Sequence, residues 1–215
     1  MGNSVGSKLG NLNMKITKYQ LSALIGMIVG DGYLQKTGKK NARLRLEHSL
    51  KQKGYLMWKM SLFPNLFQGR IKLLQRINPV TKEKYFYVRS QSNSSPLLGK
   101  LRKIFYHEDR KIIPGNIDKL ITHPIGFIIW YYDDGSFYLR DCECYLSLGK
   151  IDEASAINSL NAWKKFLPQV ELKDKKAKGY ELIFKKESLG KLRKILYWYQ
   201  IPGLIHKIPS LPRND

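Results

Sequence analysis

A seven-residue segment occurs twice in this chain of 215 residues. Leu98–Ile104 reads Leu-Gly-Lys-Leu-Arg-Lys-Ile, and Leu189–Ile195 repeats it without a change. Seven consecutive identities are very improbable by chance, so the sequence indicates an internal duplication. The fold must therefore contain two related units, and a functional residue in one unit has an expected counterpart in the other.

Each unit also contains an apolar stretch that ends in Asp-Gly. These stretches are Leu24–Gly32 and Phe127–Gly135, and they place Asp31 and Asp134 at equivalent positions. Both stretches are apolar almost all round, which is typical of a buried helix. The duplication therefore predicts two buried helices, each with an acid at its C-terminal end.

The first of these helices has clear start and stop signals. Thr17 and Gln20 have the spacing of a capping box. Gly26 and Gly30 clear one face for close approach of another backbone, and Gly32 is the expected left-handed stop. In the second helix Ile129 takes the place of Gly26, so the close contact is predicted to be one-sided.

The acids are at an unfavourable place in both helices. A carboxylate in the last turn faces the negative end of the helix dipole, at a cost of up to about 1 kcal/mol. An acid in this place suggests a nearby cation, and a metal ion is one candidate. The alternative is a core helix with a solvated acid at its end, and this stretch alone leaves both interpretations open.

The remaining residues of each unit follow the same order of predicted elements. After each apolar helix come a hairpin, a helix, a second hairpin and the helix with the repeated heptapeptide, so each unit reads αββαββα. The units are predicted at 16–114 and 124–212, with a linker at 115–123 and a flexible N-terminal lead at 1–15. The predicted fold class is α+β, with two pseudo-symmetric repeats.

Several predicted strands alternate charged and apolar residues, as expected when one face is buried and the other is polar. A polar face rich in Arg and Lys is what a surface that reads a DNA groove requires, whereas an ordinary solvated face is the alternative. The predicted elements here are a strand at Ala42–His48, a helix capped by Ser49 and Gln52 that runs to about Leu62, a hairpin of Arg70–Ile77 and Lys84–Arg89, and a strand at Ser136–Arg140.

Side chains on these polar faces are the candidates for DNA contact. Arg can bind guanine edges through two hydrogen bonds, while Glu and Gln suit cytosine and adenine. Lys173 is expected to contact phosphates rather than bases. The predicted DNA-binding residues are Arg43, Arg45, Glu47, Arg70, Lys72, Gln75, Arg89, Arg140, Lys173 and Lys185.

The charge of the chain supports a polyanionic partner. Lys and Arg total 38 against 17 Asp and Glu, which gives a net charge of +21. An excess this large, spread along the chain, favours nucleic acid over a membrane surface, and no apolar run is long enough to span a membrane. Cys142 and Cys144 are too few for a disulfide framework, which favours a reducing, intracellular compartment.

Together, the two acid-tipped stretches resemble the paired motifs of single-chain LAGLIDADG homing endonucleases. The resemblance covers about residues 16 to 212. It implies motif helices packed at a pseudo-twofold axis and two antiparallel, four-stranded, saddle-shaped sheets that form the DNA-binding surface. It further implies a monomer that cuts both strands of a long asymmetric DNA target and leaves 3′ overhangs.

The resemblance also implies a metal-dependent site. Hydrolysis of a phosphodiester needs an activated water and stabilised charge, which divalent ions supply. Asp31 and Asp134 are the expected ligands of Mg²⁺, with Mn²⁺ or Ca²⁺ as substitutes in binding and the backbone of Gly30 and Asp133 as further ligands. The Asp133 side chain stands where the family often has a small residue, and an interhelix contact or a supporting hydrogen bond is expected for it.

A duplicated basic element completes the predicted catalytic set. Lys111 and Lys207 each precede an Ile-Pro sequence at the end of a unit, a place where the family has a lysine near each active site. An ammonium there would stabilise developing charge or orient the attacking water, although any one Lys in so basic a chain can equally be solvated or bind phosphate. Gln91, with Lys185 as its match in the second unit, is a further candidate for a water contact.

Other residues and functions are weaker candidates. The Cys-x-Cys pair lacks a closed zinc set, and the four histidines show no metal-ligand spacing. An RNA-binding maturase that helps a host intron fold, or a DNA-binding regulator, remains an alternative on the same fold. The composition suits an AT-rich genome and does not decide between an organelle and a microbial cytoplasm.

Overall fold

A computed structural model describes residues 16–201 and 203–210 of the chain. The predicted N-terminal lead and the last residues of the second predicted unit lie outside the described residues. The elements of the first half are α1 (Lys18–Val29), β1 (Tyr33–Lys36), β2 (Ala42–Ser49), α2 (Lys53–Ser61), β3 (Lys72–Ile77), β4 (Lys84–Gln91), α3 (Pro96–Phe105), β5 (Tyr106–His107) and β6 (Arg110–Lys111). Those that follow are α4 (Ile117–Leu120), α5 (Ile125–Asp134), β7 (Gly135–Tyr138), β8 (Glu143–Gly149), α6 (Glu153–Phe166), β9 (Val170–Asp174), β10 (Tyr180–Phe184) and α7 (Lys186–Trp198).

The two halves have the same sheet topology, as the duplication predicts. The first sheet has the strand order β1-β2-β4-β3, the second has β7-β8-β10-β9, and every pairing within them is antiparallel. The α+β class and the two four-stranded antiparallel sheets are therefore confirmed. No helix in the described part of the chain has the length and apolar character needed to cross a membrane.

The first motif helix, α1, begins as predicted but ends differently. Thr17 Oγ1 accepts a hydrogen bond from the Gln20 backbone, and the Gln20 side chain accepts one from the Thr17 N–H, so the capping box is present. The helix ends at Val29, which puts Asp31 just past the last turn rather than within it.

Gly32 is not the left-handed stop that the sequence predicts, because its φ angle is not positive. A Cβ there would instead lie 2.3 Å from the carbonyl oxygen of Met27. The Gly32 N–H donates to that oxygen over 2.7 Å, so the chain turns too tightly for a side chain.

The motif helices α1 and α5 pack through glycines from both partners. A Cβ on Gly26 would lie 2.3 Å from the carbonyl oxygen of Gly126, and a Cβ on Gly126 would lie 2.7 Å from that of Ser22. The prediction of a one-sided contact opposite Ile129 is therefore wrong. Gly126 is the residue immediately before the second motif, which is why aligning the motifs alone does not reveal it.

Burial along β2 confirms the predicted alternation. Ala42, Leu44, Leu46 and His48 are buried, while the intervening side chains are partly exposed on the other face. The outward residues are Arg43, Arg45 and Glu47. The apolar face of this strand packs toward the core, and its charged face is available for a ligand.

Three predicted elements have different bounds in the structure. Strand β3 starts at Lys72, where it pairs with Arg89, so Arg70 precedes it. Strand β7 ends at Tyr138, opposite Glu143, and Arg140 lies in the connecting turn.

The third difference is the start of α2. It begins at Lys53 after a 3₁₀ turn, and the Ser49 hydroxyl reaches the Gln52 side chain over 3.4 Å instead of capping a backbone N–H.

Candidate active site and nucleic-acid surface

The two motif acids lie at the C-terminal ends of the packed helices. The Asp31 side chain is 41% exposed. Asp134 is partly buried and lines a cavity of about 170 Å³ together with Lys111, Trp130 and Leu148. Among the described residues, neither carboxylate accepts a hydrogen bond, so both retain oxygens that are free to bind a ligand.

The surroundings raise the pKa of both carboxyl groups. For Asp134, burial is the main cause, the negative charges of Asp133 and Asp31 add to it, and the pKa is well above the ordinary value. For Asp31, burial and then Asp133 raise the pKa, while Lys59 and Lys207 oppose the shift. The negative charges of Asp31 and Asp133 therefore disfavour ionisation of Asp134, and a bound cation would offset this repulsion.

Each half supplies a lysine to the end of its own motif helix. Lys111 Nζ donates to the Gly30 carbonyl oxygen over 2.7 Å. Lys207 Nζ donates to the carbonyls of Tyr132 over 2.7 Å and Asp133 over 3.1 Å. Burial lowers the pKa of both lysines, although the nearby aspartates counteract the shift.

The structure thus brings together Lys111 and Lys207 with the predicted acids. The backbone carbonyls of Gly30 and Asp133 are predicted metal ligands from the sequence. In the structure they accept hydrogen bonds from these two lysines. An ammonium at a helix C-terminus satisfies terminal carbonyls and lies at the favourable end of the dipole.

The side chain of Asp133 points across the interface between the helices. Its Oδ1 accepts from Lys59 Nζ over 2.5 Å and from the Tyr55 hydroxyl over 2.8 Å. Its Oδ2 accepts from the backbone N–H of Asp31 over 3.1 Å. The space comes from Gly30, where a Cβ would lie 2.4 Å from Asp133 Oδ2.

His48 and Lys59, which were not nominated from the sequence, complete this cluster. His48, at a buried position of β2, has its Nε2 3.1 Å from Lys59 Nζ and its Nδ1 3.6 Å from Asp31 Oδ2. Burial and the Lys59 charge lower the pKa of His48 to about 3, so the ring is neutral near pH 7.

Two signals in the sequence could have indicated these residues. His48 shares its strand parity with the leucines of β2, and Lys59 lies one helical turn after the buried Tyr55. A Lys within the buried face of a helix needs a partner charge, because an unpaired buried ammonium is costly.

The chemistry of the donor set fits a divalent ion at Asp31 and Asp134. Hard cations prefer carboxylate oxygens, and these two carboxylates have no competing hydrogen bonds within the described residues. Donor atoms of Asp31, His48 and Asp133 also lie within 4.8 Å of one another. In that second group, however, Asp133 and His48 already bind the Lys59 ammonium.

The first sheet presents an arginine-rich face, but Glu47 is engaged there. Its carboxylate pairs with Arg45 over 3.1 Å and with Arg76 and Arg89 over 2.7 Å each. Arg76 also lies over the Tyr87 ring, 4.2 Å from its centroid. Arg76 was not nominated from the sequence, and Glu47 would have to leave this network before it could read a base.

The other nominated residues of the first sheet are divided between its two faces. Lys72 is exposed on the same face of β3 as Arg76, whereas Gln75 is on the opposite face, because side chains alternate along a strand. Gln91 is partly buried and pairs with Arg45 in the register of β2 and β4. Gln75 therefore does not share the surface of the arginines.

The nominated residues of the second half are more often paired with acids. Lys185 follows β10 and forms ion pairs with Glu143 and Glu171, each over 3.1 Å. The Arg140 side chain is 92% exposed and pairs with the neighbouring Asp141. Lys173 is exposed on β9, opposite Glu181. This surface is less uniformly basic than the sequence suggests.

Solved structures of homing endonucleases have a fold similar to that of this chain. The homing endonuclease I-WcaI bound to its DNA recognition sequence aligns over 97% of this chain and 94% of its own, with a TM-score of 0.81 and 20% identity. The I-SmaMI LAGLIDADG homing endonuclease bound to cleaved DNA aligns over 89% and 85%, with a TM-score of 0.50 and 11% identity.

Curated relatives match smaller parts of longer proteins. The protein RecA of Mycobacterium gastri is 33% identical over 131 residues, which is 58% of this chain and 28% of that protein. The protein RecA of Mycolicibacterium fallax is 25% identical over 213 residues, or 92% and 47%. The chain therefore spans between about a quarter and a half of the length of these relatives.

The family profile described as the LAGLIDADG DNA endonuclease family matches residues 21–192. The match includes both motif helices, both sheets and the two acids at the helix ends. This chain belongs to the LAGLIDADG DNA endonuclease family.

Proposed function

We propose that this chain is a site-specific endonuclease that hydrolyses both strands of double-stranded DNA with the help of divalent metal and leaves 3′ overhangs. The observation that carries the proposal is the pair of acids at the ends of the packed helices. Burial raises the pKa of both Asp31 and Asp134, the charge of Asp31 adds to the shift of Asp134, and both retain free carboxylate oxygens within the described residues. Such a pair is suited to share cations near a scissile phosphate.

Asp31 and Asp134 would hold the metal, and Mg²⁺ is the ion that we propose. When bound, it would lower the pKa of a water nucleophile and neutralise charge on the phosphate. The two carboxylates lie at the meeting point of the halves, so each strand of a duplex laid across this point would have one acid beside it.

Lys111 and Lys207 would act as electrostatic groups beside the acids. Each ammonium is held by helix carbonyls, and its partial burial strengthens its field at a nearby phosphate. A fixed ammonium stabilises negative charge that develops on phosphate oxygens without reorganising during the reaction. The equivalent placement of the two lysines supports one such group per strand.

The sheets would provide recognition of the target. The outward face of the first sheet carries Arg43, Arg45 and Arg89 on adjacent strands, where guanidinium groups can read guanine edges in a major groove. The net charge of +21 supplies the sequence-independent attraction to phosphates. We propose a monomer, because the chain itself provides both halves of the site.

The presence of both acids favours a nuclease over an RNA-binding or purely regulatory protein on this fold. The free cysteines Cys142 and Cys144 agree with the intracellular location that a DNA substrate requires. No residue described in the structure favours an RNA partner over DNA.

The proposal is tested by cleavage of a randomised plasmid library in the presence of Mg²⁺. We expect linear product from a small set of related targets, and sequencing of the ends should show 3′ overhangs. EDTA should abolish cutting, and readdition of Mg²⁺ should restore it. Double-strand cutting that persists in EDTA would overturn the metal dependence, and binding without cutting of any target would favour a regulator.

A further inference from the structure

The cluster of Asp31, His48 and Asp133 has the composition of a transition-metal site. Carboxylate oxygens and imidazole nitrogen are ligands that Zn²⁺ accepts. Their donor atoms lie within 4.8 Å of one another. Yet a side-chain cation, Lys59, already lies against this cluster, and its side chain has no solvent exposure.

The Lys59 ammonium has a full set of partners. It donates to Asp133 Oδ1 over 2.5 Å and lies 3.1 Å from His48 Nε2. It also lies 4.4 Å from the centroid of the Tyr55 ring, at a distance suited to a cation–π contact. An ammonium has three donors, and these three partners account for them.

The contact with Lys59 also fixes the state of the His48 ring. An ammonium has no lone pair, so His48 Nε2 must accept and the proton of the neutral ring must be on Nδ1. Nδ1 is the nitrogen that faces Asp31 Oδ2 at 3.6 Å. The N–H of this ring therefore points toward the predicted metal-binding carboxylate.

We propose that Lys59 is a resident cation that closes the Asp31–His48–Asp133 cluster to divalent metal and, through His48 and Asp133, positions Asp31. Asp133 holds the backbone N–H of Asp31, and His48 presents an N–H to its carboxylate. The backbone of Asp31 is thereby held by a hydrogen bond and its carboxylate faces a ring N–H dipole, and Lys59 contacts both groups that provide them.

The second half lacks the equivalent residues. Tyr33 and Ser136 each follow an Asp-Gly and pair with Arg45 and Tyr145 respectively, so β2 and β8 are equivalent in this register. When this register is continued along the chain, His48 corresponds to Leu148, Tyr55 to Ser155 and Lys59 to Ser159. The N-caps of α2 and α6 also correspond. The positioning device therefore serves Asp31 and not Asp134.

The metal arm of the test does not depend on nuclease activity. Zn²⁺ is added to protein with ¹⁵N-labelled histidine, and the ring nitrogens of His48 are followed by NMR. In the wild type we expect the Nδ1-protonated tautomer and no coordination of Zn²⁺ by either ring nitrogen of His48. In Lys59→Met we expect His48 signals that shift on Zn²⁺ binding, with one more site per chain by calorimetry.

A matched variant identifies the new site. Adding His48→Leu to Lys59→Met should remove the extra site, because one of its three ligands is gone. Coordination of Zn²⁺ by His48 in the wild type would overturn the proposal. So would a folded Lys59→Met protein without a His48-dependent site. If Lys59→Met fails to fold, the tautomer of His48 in the wild type and its response to Zn²⁺ still test the proposal.

The positioning arm rests on the proposed function and uses a duplex with a different dye on each strand. The double variant Lys59→Ser/Asp133→Gly copies the second half and removes both buried charges together. We expect the rate of cutting for one strand to fall at least 10-fold relative to the other. Ser159→Ala, in the second half, is the control and should leave the ratio unchanged.

A uniform loss on both strands would overturn the positioning role, because a structural defect has no reason to select one strand. Absence of cutting by the wild type would instead contradict the proposed function and leave the metal arm to stand by itself. The two failures are therefore distinguishable.

Discussion

The two halves of the molecule share a topology and differ in what surrounds their acids. Asp31 lies beside a polar cluster in which His48, Lys59 and Asp133 contact one another. Asp134 lies beside a cavity lined by Trp130 and other largely apolar side chains. A duplicated fold thus keeps its acids at equivalent places while the packing behind each acid diverges.

Equivalent positions in the two halves therefore do not have equivalent environments. Burial is the main cause of the raised pKa for both carboxyl groups, but the Asp134 pKa is raised further, whereas the Asp31 side chain is more exposed, faces the His48 ring and has its backbone N–H bound to Asp133.

Replacement of either acid by Asn is expected to have the largest effect. Asp31→Asn and Asp134→Asn should each reduce double-strand cleavage by about 1,000-fold or more, because each removes a charged metal ligand. Plasmid linearisation at saturating Mg²⁺ measures the loss. If one Asn variant still cuts both strands at the wild-type rate, that acid is not a ligand and the two halves differ in function as well as in environment.

Asp133→Asn should strongly reduce the free energy of unfolding. The substitution leaves the Lys59 ammonium buried without an opposite charge, which typically costs about 3–5 kcal/mol. Urea denaturation at pH 7 measures the change. The control is Asp141→Asn, whose partner Arg140 is largely exposed, so this substitution should change the free energy of unfolding little.

The repeated heptapeptide offers a matched pair of glycines. A Cβ on Gly99 would lie 1.9 Å from the carbonyl oxygen of Lys40, whereas a Cβ on Gly190 would meet nothing within 4 Å. Gly99→Ala should therefore destabilise by about 1–3 kcal/mol, and Gly190→Ala should stabilise by about 0.5–1 kcal/mol. Thermal unfolding of both variants measures this, and equal effects would show that the two copies pack alike.

The pH dependence of stability should differ when His48 is replaced. Its folded-state pKa of about 3 lies below the ordinary 6.5, so the neutral ring stabilises the fold above pH 6.5 and this contribution is lost as the pH falls toward 3. Between pH 7 and pH 5 the loss is about 2 kcal/mol. In metal-free buffer, the difference in the free energy of unfolding between the wild type and His48→Leu should decrease by this amount.

The acids Asp31 and Asp134 contribute to pH dependence with the opposite sign. Their pKa values are raised on folding, so their contribution is most favourable below the ordinary pKa and is lost as the pH rises through the folded value. Comparing variants that differ only at His48 removes this background. A difference independent of pH would mean that the pKa of His48 is the same in the folded and unfolded protein.

Much of the architecture follows from local sequence. The capping box of Thr17 and Gln20, the alternation along β2 and the paired Asp-Gly ends are short-range patterns, and the duplication carries each of them to the second half. The positions of Lys111 and Lys207 near the acids also follow from the sequence, because each lysine comes shortly before an Ile-Pro pair.

The remaining features depend on contacts between the halves. Gly126 opposes Gly26 only because the helices cross there, and Lys59 finds Asp133 only after α2 packs against α5. Strand parity alone would have excluded Gln75, because it lies three residues after Lys72 and therefore on the opposite face of β3. Patterns within one segment contain no information about partners 74 residues away, as for Lys59 and Asp133.

The Asp133 side chain has a consequence for exchanging halves between relatives. It belongs to the second repeat, but its ammonium and hydroxyl partners, Lys59 and Tyr55, belong to the first. A hybrid that joined this second repeat to a first repeat without those partners would bury the Asp133 carboxylate without an opposite charge. Repeats exchanged between relatives must therefore keep the ion pair that the two repeats share. The presence of this pair determines which repeats from relatives are compatible.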